Sequence, residues 1–337
     1  MSTHRTPRDH AANYLVRAAV TAPSLHNSQP WLFTCRGGDI LLYADVTRRL
    51  LTTDPSGREM ALSCGAALFN LRIAMRHLGF LPVVRPHPDP RLPTLLARVS
   101  WGAYARTTPE EELMHQALRR RHTHRGPFQP TPLPAPLVNA LRRQALAEGA
   151  EFSTLAGPAE QRRLAAIVRE AEAFQRSSPG HAAELARWTQ PQRGRRLDGV
   201  PAEASPFPPD STLLAARDFT GHAHNRTTGG SGDSPWTSTS GTGLVVLLNT
   251  PHDTPQDWLR AGQALQRILL YAAGHRVRAG FHTQPLEIPG LRAEVRTMIA
   301  SRQCPQMIMR LGHSNRPLRT PRRPVQDVLS IEEPAAA

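Results

Sequence analysis

The chain has 337 residues, 39% of them hydrophobic, with 41 basic against 27 acidic residues and a formal net charge of +14. That length can bury sizeable cores and suits two domains of similar size, while no apolar run approaches the roughly 20 residues of a membrane helix. The charge suggests a nucleic-acid partner, but all 41 basic residues are arginine, they are dispersed as in a product of a GC-biased genome, and aromatics are only 5%, too few for base-stacking platforms. Neither a nucleic-acid nor a membrane partner is therefore expected.

The polar start, Met1-Ser2-Thr3-His4-Arg5, has no apolar stretch or small-residue cleavage site, which predicts a cytoplasmic protein. From Asp9 to Thr21, apolar residues recur at helical spacing and stop before Pro23. Trp31–Thr34 and Ile40–Ala44 flank Arg36-Gly37-Gly38-Asp39, a strong hairpin signal. Asp54-Pro55 then opens a helix that runs to Leu78 and ends at Gly79. Leu95–Val99 reads as a strand, and Ala135–Glu148 as a helix.

In the second half, the strand Leu244–Leu248 leads to Thr254-Pro255-Gln256-Asp257, a helix start with a capping residue, a first-turn proline and an acid near the dipole. This helix echoes the earlier one: Gly65-Ala66-Ala67-Leu68 matches Gly262-Gln263-Ala264-Leu265 at an offset of 197 (262 minus 65), which favours an internal duplication. Met307–Leu311 closes the second half as Leu95–Val99 closes the first, and the mixture of helices with antiparallel pairing predicts an α+β fold. Residues 188–243, rich in Pro, Gly, Ser and Thr around Phe207, Phe219 and Trp236, read either as a lid over the site, the preferred reading, or as a disordered segment. The odd count of cysteines, Cys35, Cys64 and Cys304, implies buried inert thiols rather than a disulfide or zinc framework. Histidine pairs at His122/His124 and His222/His224 lack companion acids or cysteines, so no metal is expected.

Two strings carry chemistry. Ala22-Pro23-Ser24-Leu25-His26-Asn27-Ser28-Gln29-Pro30-Trp31 resembles the loop with which nitroreductases reach a flavin mononucleotide (FMN) held mainly by the partner subunit. Arg121-His122-Thr123-His124-Arg125, 90 residues after the tryptophan (121 minus 31), resembles the Arg-x-Ser/Thr-x-Arg/Lys clamp on the FMN phosphate. The two stand in reversed order. Too few residues precede Ala22 for a clamp and a helix, and Gly149-Ala150-Glu151-Phe152 stands where a second Asn-x-Gln-Pro-Trp would fall. Each half keeps what the other lost, which predicts one FMN per chain.

The resemblance extends from about Asp9 to Leu329 and is to the fused, two-half Acg-like proteins of the nitroreductase superfamily. It implies two pseudo-symmetric halves, residues 1–115 and 116–337, forming an intramolecular pseudo-dimer, with no need of a second chain. For a phosphate of about two charges, bidentate arginine contacts are the strongest grip, so Arg121 and Arg125 lead, with the Thr123 hydroxyl and a His122 ring nitrogen. Asn27 and Gln29 offer amide donors and acceptors to the ring edge, and Pro23 and Ser24 lie against it. Leu286 and Glu287, in Thr283-Gln284-Pro285-Leu286-Glu287, fall where the family has a Pro-x-Glu loop approaching flavin N5, although Ile288 replaces a common Gly. Arg322, and beside it Arg323, resemble the basic tail that completes the phosphate pocket.

The implied activity is an oxidoreductase in which NAD(P)H reduces bound flavin and the flavin reduces a flat acceptor such as a nitroaromatic or quinone. No protein residue is expected to be catalytic, because the cofactor carries the chemistry. The alternative is a non-catalytic protein that stores FMN under a closed lid.

Overall fold

The computed structural model describes residues 7–190, 196–201, 204, 212–214, 217, 219, 241–299, 302–315 and 320–332. Most of the lid expected at 188–243 lies outside them. Helix α1 (Pro7–Ala19) leads through a 3-10 turn, Leu25–Asn27, into the hairpin β1 (Trp31–Arg36) and β2 (Asp39–Ala44). Gly37 and Gly38 sit at φ +60° and +95°, the left-handed pair whose twist suits a two-residue hairpin turn.

Helix α2 (Arg58–His77) begins later than Asp54-Pro55 because Gly57, at φ +77°, turns the chain first. Asp54 caps it from outside, accepting the backbone N–H of Glu59 at 3.1 Å and of Met60 at 2.8 Å. Strands β3 (Phe80–Pro86) and β4 (Leu95–Tyr104) follow, then α3 (Pro109–Ala117). The second half runs α4 (Ala135–Ala147), β5 (Glu151–Leu155), α5 (Pro158–Ser177), α6 (Pro179–Trp188) and the short β6 (Thr189–Gln190) and β7 (Val200–Pro201). It continues with β8 (Leu244–Thr250), α7 (Pro255–Gly274), β9 (Val277–Phe281), α8 (Pro289–Met298), β10 (Cys304–His313) and β11 (Leu329–Glu332). Thr254 and Asp257 cap α7 reciprocally with Pro255 in its first turn.

The architecture is α+β, as expected. One sheet has the order β11-β1-β2-β4-β3 and the other β5-β8-β10-β9. The second is antiparallel throughout, and in the first only β11 runs parallel to its neighbour β1, with Leu329 opposite Phe33. Residues 320–332 thus belong to the second half in sequence and to the first sheet in space. Helices α1 and α2 cover that sheet around Trp31, Phe33, Leu42 and Leu71. The second sheet is covered on one face by α4 and α7 and on the other by α5 and α8.

Between the layers, α2 and α7 pack directly on each other. Both are 20 residues long and start 197 residues apart (255 minus 58). The paired glycines of the sequence repeat meet at the crossing: a Cβ on Gly65 would lie 2.2 Å from Leu259 O, and one on Gly262 2.0 Å from Leu62 O. Leu62 and Leu259 share the same offset (259 minus 62), so the contact is reciprocal about the crossing. A side chain here must push two backbones apart, which is why both positions are glycine. Gly262→Ala is expected to destabilise by about 2 to 4 kcal/mol, read as a lowered urea midpoint. Adding Gly65→Ala should cost less than the first change, because the helices are already separated.

Candidate functional site

The loop from Ala22 to Trp31 is held in a costly shape. His26, Asn27 and Gln29 have φ of +49°, +56° and +52°, a region that non-glycine residues enter at a cost of about 1 kcal/mol or more each. Its surroundings enforce it. Ser24 Oγ accepts the Gln29 backbone N–H at 2.9 Å, Leu25 O accepts that of Ser28 at 2.9 Å, and Cys64 Sγ lies 3.1 Å from Pro30 O. Trp31 is fully buried and anchors the exit.

The Asn27 and Gln29 amides are spent inside the protein. Asn27 Nδ2 donates to Gly199 O at 2.9 Å and Pro321 O at 3.1 Å, and its Oδ1 accepts from Arg322 Nη1 at 2.9 Å. Gln29 Nε2 donates to Leu197 O at 2.7 Å, and Gln29 Oε1 accepts the Arg323 backbone N–H at 2.7 Å. Both side chains tie the loop to 197–199 and to the C-terminal segment, and neither lines the cavity described below.

On the other side, the segment after α3 is pinned to β9: Thr123 bridges Ala279 and the His124 N–H donates to Ala279 O at 2.7 Å. This brings Arg121 and Arg125 beside Arg322. Arg121 is buried and Arg125 and Arg322 are partly so, each with guanidinium nitrogen out of reach of solvent, and among the described residues no carboxylate lies within salt-bridge distance of any of them. Arg121 Nε and Nη1, Arg125 Nη1 and Arg322 Nε have no hydrogen-bond partner. Burial, compounded by Arg322, Arg278 and Arg125, lowers the Arg121 pKa to about 9. Burial lowers Arg125 to about 10, and burial with the Arg125 charge does the same to Arg322. Buried, mutually repelling cations with orphaned N–H groups are an anion site by construction.

Arg125 also borders a cavity of about 700 Å³ between the two halves. Its apolar wall includes Leu25, Leu62, Leu265, Phe281 and Met307, and Pro23, Ser24 and Thr123 lie on its rim. Three wall residues were not singled out by motif. His26 occupies an unspecified position of the loop motif; burial and then the Arg217 charge lower its pKa to about 3. Its Nε2 receives Arg217 Nη1 at 2.8 Å, so the neutral ring carries its proton on Nδ1, an atom left without a protein partner. Arg217 is the second; its Nη2 also holds the buried Glu287 carboxylate at 2.7 and 2.8 Å. The third is Glu59 in the first turn of α2: burial raises its carboxyl to about 7 in spite of the close contact with the Arg58 guanidinium.

The remaining motif residues sit apart from the cavity. Leu286 packs in the core under α5 and α8, and Glu287 is consumed by Arg217 and by Gln175 Nε2 at 2.6 Å. Arg323 turns toward Gln29 O, Asp327 O and Asp45. His122 borders a small pocket of about 190 Å³ shared with Arg121 and Arg278. Among the described residues the three cysteines are buried and form no disulfide, and no helix is long and apolar enough to cross a membrane.

No family model matches the chain. It is 30% identical over 341 residues to the "Putative NAD(P)H nitroreductase Rv3131" of Mycobacterium tuberculosis H37Rv, covering 99% of this chain and 94% of that protein. It is 29% identical over 323 residues to the NAD(P)H nitroreductase Acg of the same strain, also named as putative, covering 94% of each. Among solved structures, the FMN-dependent nitroreductase NfnB of Mycobacterium smegmatis, in complex with NADPH, aligns at 16% identity over 64% of this chain and 96% of that one, with a TM-score of 0.41. The chain belongs to the nitroreductase superfamily and, within it, to the Acg-like group that includes Rv3131.

The arginine cluster makes a prediction independent of any cofactor. In buffers of equal ionic strength, inorganic phosphate should raise the melting temperature of the ligand-free protein above its value in chloride. Arg121→Met should stabilise the ligand-free protein by about 1 to 3 kcal/mol, because it removes an uncompensated buried charge, and should abolish the phosphate response.

Proposed function

We propose that the chain is an FMN-dependent oxidoreductase that takes reducing equivalents from NAD(P)H and passes them to a flat, conjugated acceptor such as a nitroaromatic or quinone. One observation carries this reading: Arg125, which borders a partly apolar cavity, stands beside Arg121 and Arg322, and the three guanidinium groups have no acidic partner among the described residues and N–H groups left without one, a pairing of apolar wall and cationic end that suits a flat cofactor with an anionic tail. Membership of a group that includes a protein named as an NAD(P)H nitroreductase supports it. The residues fit the cofactor: Arg121, Arg125 and Arg322 supply unsatisfied donors for the phosphate, with Thr123 beside them. Pro23, Ser24 and the Nδ1–H of His26 face the space for the ring. FMN, when bound, supplies hydride transfer.

Asn27 and Gln29 act here as ties that hold the loop and the C-terminal segment together, and Glu287 acts through Arg217 by fixing the guanidinium against His26. The two halves form a pseudo-dimer with one FMN per chain, and the fused chain works as a monomer in the cytoplasm.

Glu59 has the remaining role. It is the one carboxyl lining the cavity among the described residues, and near neutral pH it can hold a proton at the cavity wall and deliver it to an acceptor that has taken up charge. It is protonated below about pH 7, so turnover should fall as pH rises through that value. Glu59→Gln should lower kcat by roughly a hundredfold and abolish that pH dependence, while FMN affinity stays unchanged.

The direct test is anaerobic titration of the FMN-saturated protein with NADPH and then NADH. Loss of the oxidised-flavin absorbance at one FMN per chain is the expected result, and Arg121→Ala with Arg125→Ala should abolish FMN retention. Tight one-to-one binding with colour that persists under both nucleotides would overturn the oxidoreductase reading in favour of flavin storage.

A further inference from the structure

Away from the cavity, the C-terminal end of α2 meets the outer face of α3. His77 Nδ1 and Glu112 Oε2 are 2.8 Å apart, and the His77 and His115 rings stack with centroids at 3.7 Å and planes within 8°. One ligand atom from each of His77, Glu112 and His115 falls in a group whose members all lie within 4.8 Å of one another. Glu112 and His115 are spaced three apart, so α3 presents both on one face.

We propose that His77, Glu112 and His115 form a binding site for a divalent transition-metal ion of the zinc class, with a fourth position open to water. Two imidazoles and a carboxylate are the donor set that such ions take. Tetrahedral Zn–N and Zn–O bonds of about 2.0 to 2.1 Å put ligand atoms roughly 3.3 Å apart, so the rings must tilt out of their stack and the group contract by about 1.5 Å. His77 and Glu112 are each more than a third exposed, which leaves an entry path and side chains free to make that adjustment.

An outer shell is already in place. Tyr14 Oη of α1 lies 2.9 Å from His115 Nε2, and Gln116 Nε2 donates to the second Glu112 oxygen, Oε1, at 3.0 Å. With His115 binding an ion through Nδ1 and Glu112 through Oε2, these hydrogen bonds would hold the other atom of each ligand, as outer-shell partners do. A purely structural clip is a weaker account, because α3 is already fastened to α2 without the cluster. Arg76 binds both Glu111 oxygens at 2.7 and 3.0 Å and donates to Ala105 O and Arg106 O at 2.9 and 2.6 Å. The site would join α1, α2 and α3 just ahead of the segment that carries Arg121 and Arg125, so an ion there would stiffen the approach to the cavity without touching it.

The experiment is titration of the chelator-treated, FMN-saturated protein with zinc chloride, by calorimetry and by competition with a chromogenic chelator. One equivalent is expected to bind saturably in the wild type and to raise its melting temperature. His115→Ala and Glu112→Gln should each weaken that site at least tenfold and remove the thermal shift, while His252→Ala, far along the chain in another loop, should not. Cobalt(II) should give the visible absorption of a tetrahedral or five-coordinate site in the wild type and in His252→Ala, and not in His115→Ala or Glu112→Gln. Flavin retention in each variant checks that it has folded. No saturable zinc binding, or binding of equal strength in His115→Ala and Glu112→Gln, would overturn the proposal.

Discussion

The contact of Gly65 with Gly262 is the constraint on which the site depends. Because neither residue has a Cβ, α2 and α7 approach until backbone touches backbone, and that distance sets the gap between the layers they carry. The loop at 22–31 rides on α2 through the Leu25 N–H bonded to Ser63 Oγ at 3.4 Å and through Cys64 against Pro30. The arginine segment rides on β9, whose sheet is covered by α7. Leu62 from one helix and Leu265 from the other then face the same cavity. Packing at two glycines therefore fixes the width of a space in which no glycine takes part.

The site is built from groups that oppose folding. Three residues in left-handed backbone and three at least partly buried guanidinium groups without acids are each unfavourable, and the surrounding core must over-determine them. It does so from the first sheet: Trp31 begins β1, β11 pairs beside it, and the C-terminal segment that carries Arg322 is held by Asn27 and Gln29 on its way to that strand. A bound anion would relieve the charge and leave the strain, so such a protein should be markedly more stable loaded than empty.

Much of this was legible in the sequence because period and motif are local. The helices at Arg58–His77 and Pro255–Gly274, the hairpin around Gly37-Gly38 and the repeated Gly-x-Ala-Leu followed from spacing, and the structure turns that repeat into a contact. Helices α3, α5, α6 and α8 went unread amid charged or alanine-rich residues. The partners of Asn27, Gln29 and Glu287 were not readable either. A motif gives the residue type, whereas hydrogen bonds to residues 70 to 295 positions away are decided by packing. His26 shows the same limit from the other side: a motif leaves its position unspecified, yet the residue lines the cavity and its buried Nδ1 has no protein partner.

The two sides of the α2–α7 crossing differ in charge. Ser63, on the cavity wall, corresponds at the offset of 197 to Arg260 (260 minus 63). A side chain on Gly149 would meet Arg260 Cδ at 3.2 Å, and Gly149 belongs to a tight turn, with Ala150 N bonded to Ala145 O at 3.1 Å, that leads straight into β5 where a second loop would have stood. The three arginines nearby have three acids: Arg260 pairs with Asp257 at 2.9 Å, Glu148 takes Arg72 at 2.6 Å and Arg267 at 3.1 Å, and Glu110 lies 3.9 Å from Arg267. One side of the pseudo-symmetric crossing is thus filled and balanced, while the other is hollow and carries uncompensated positive charge. An anion therefore finds unmatched cations on one side of the crossing and ion pairs already closed on the other, so the difference in charge follows from where the acids stand rather than from the number of arginines.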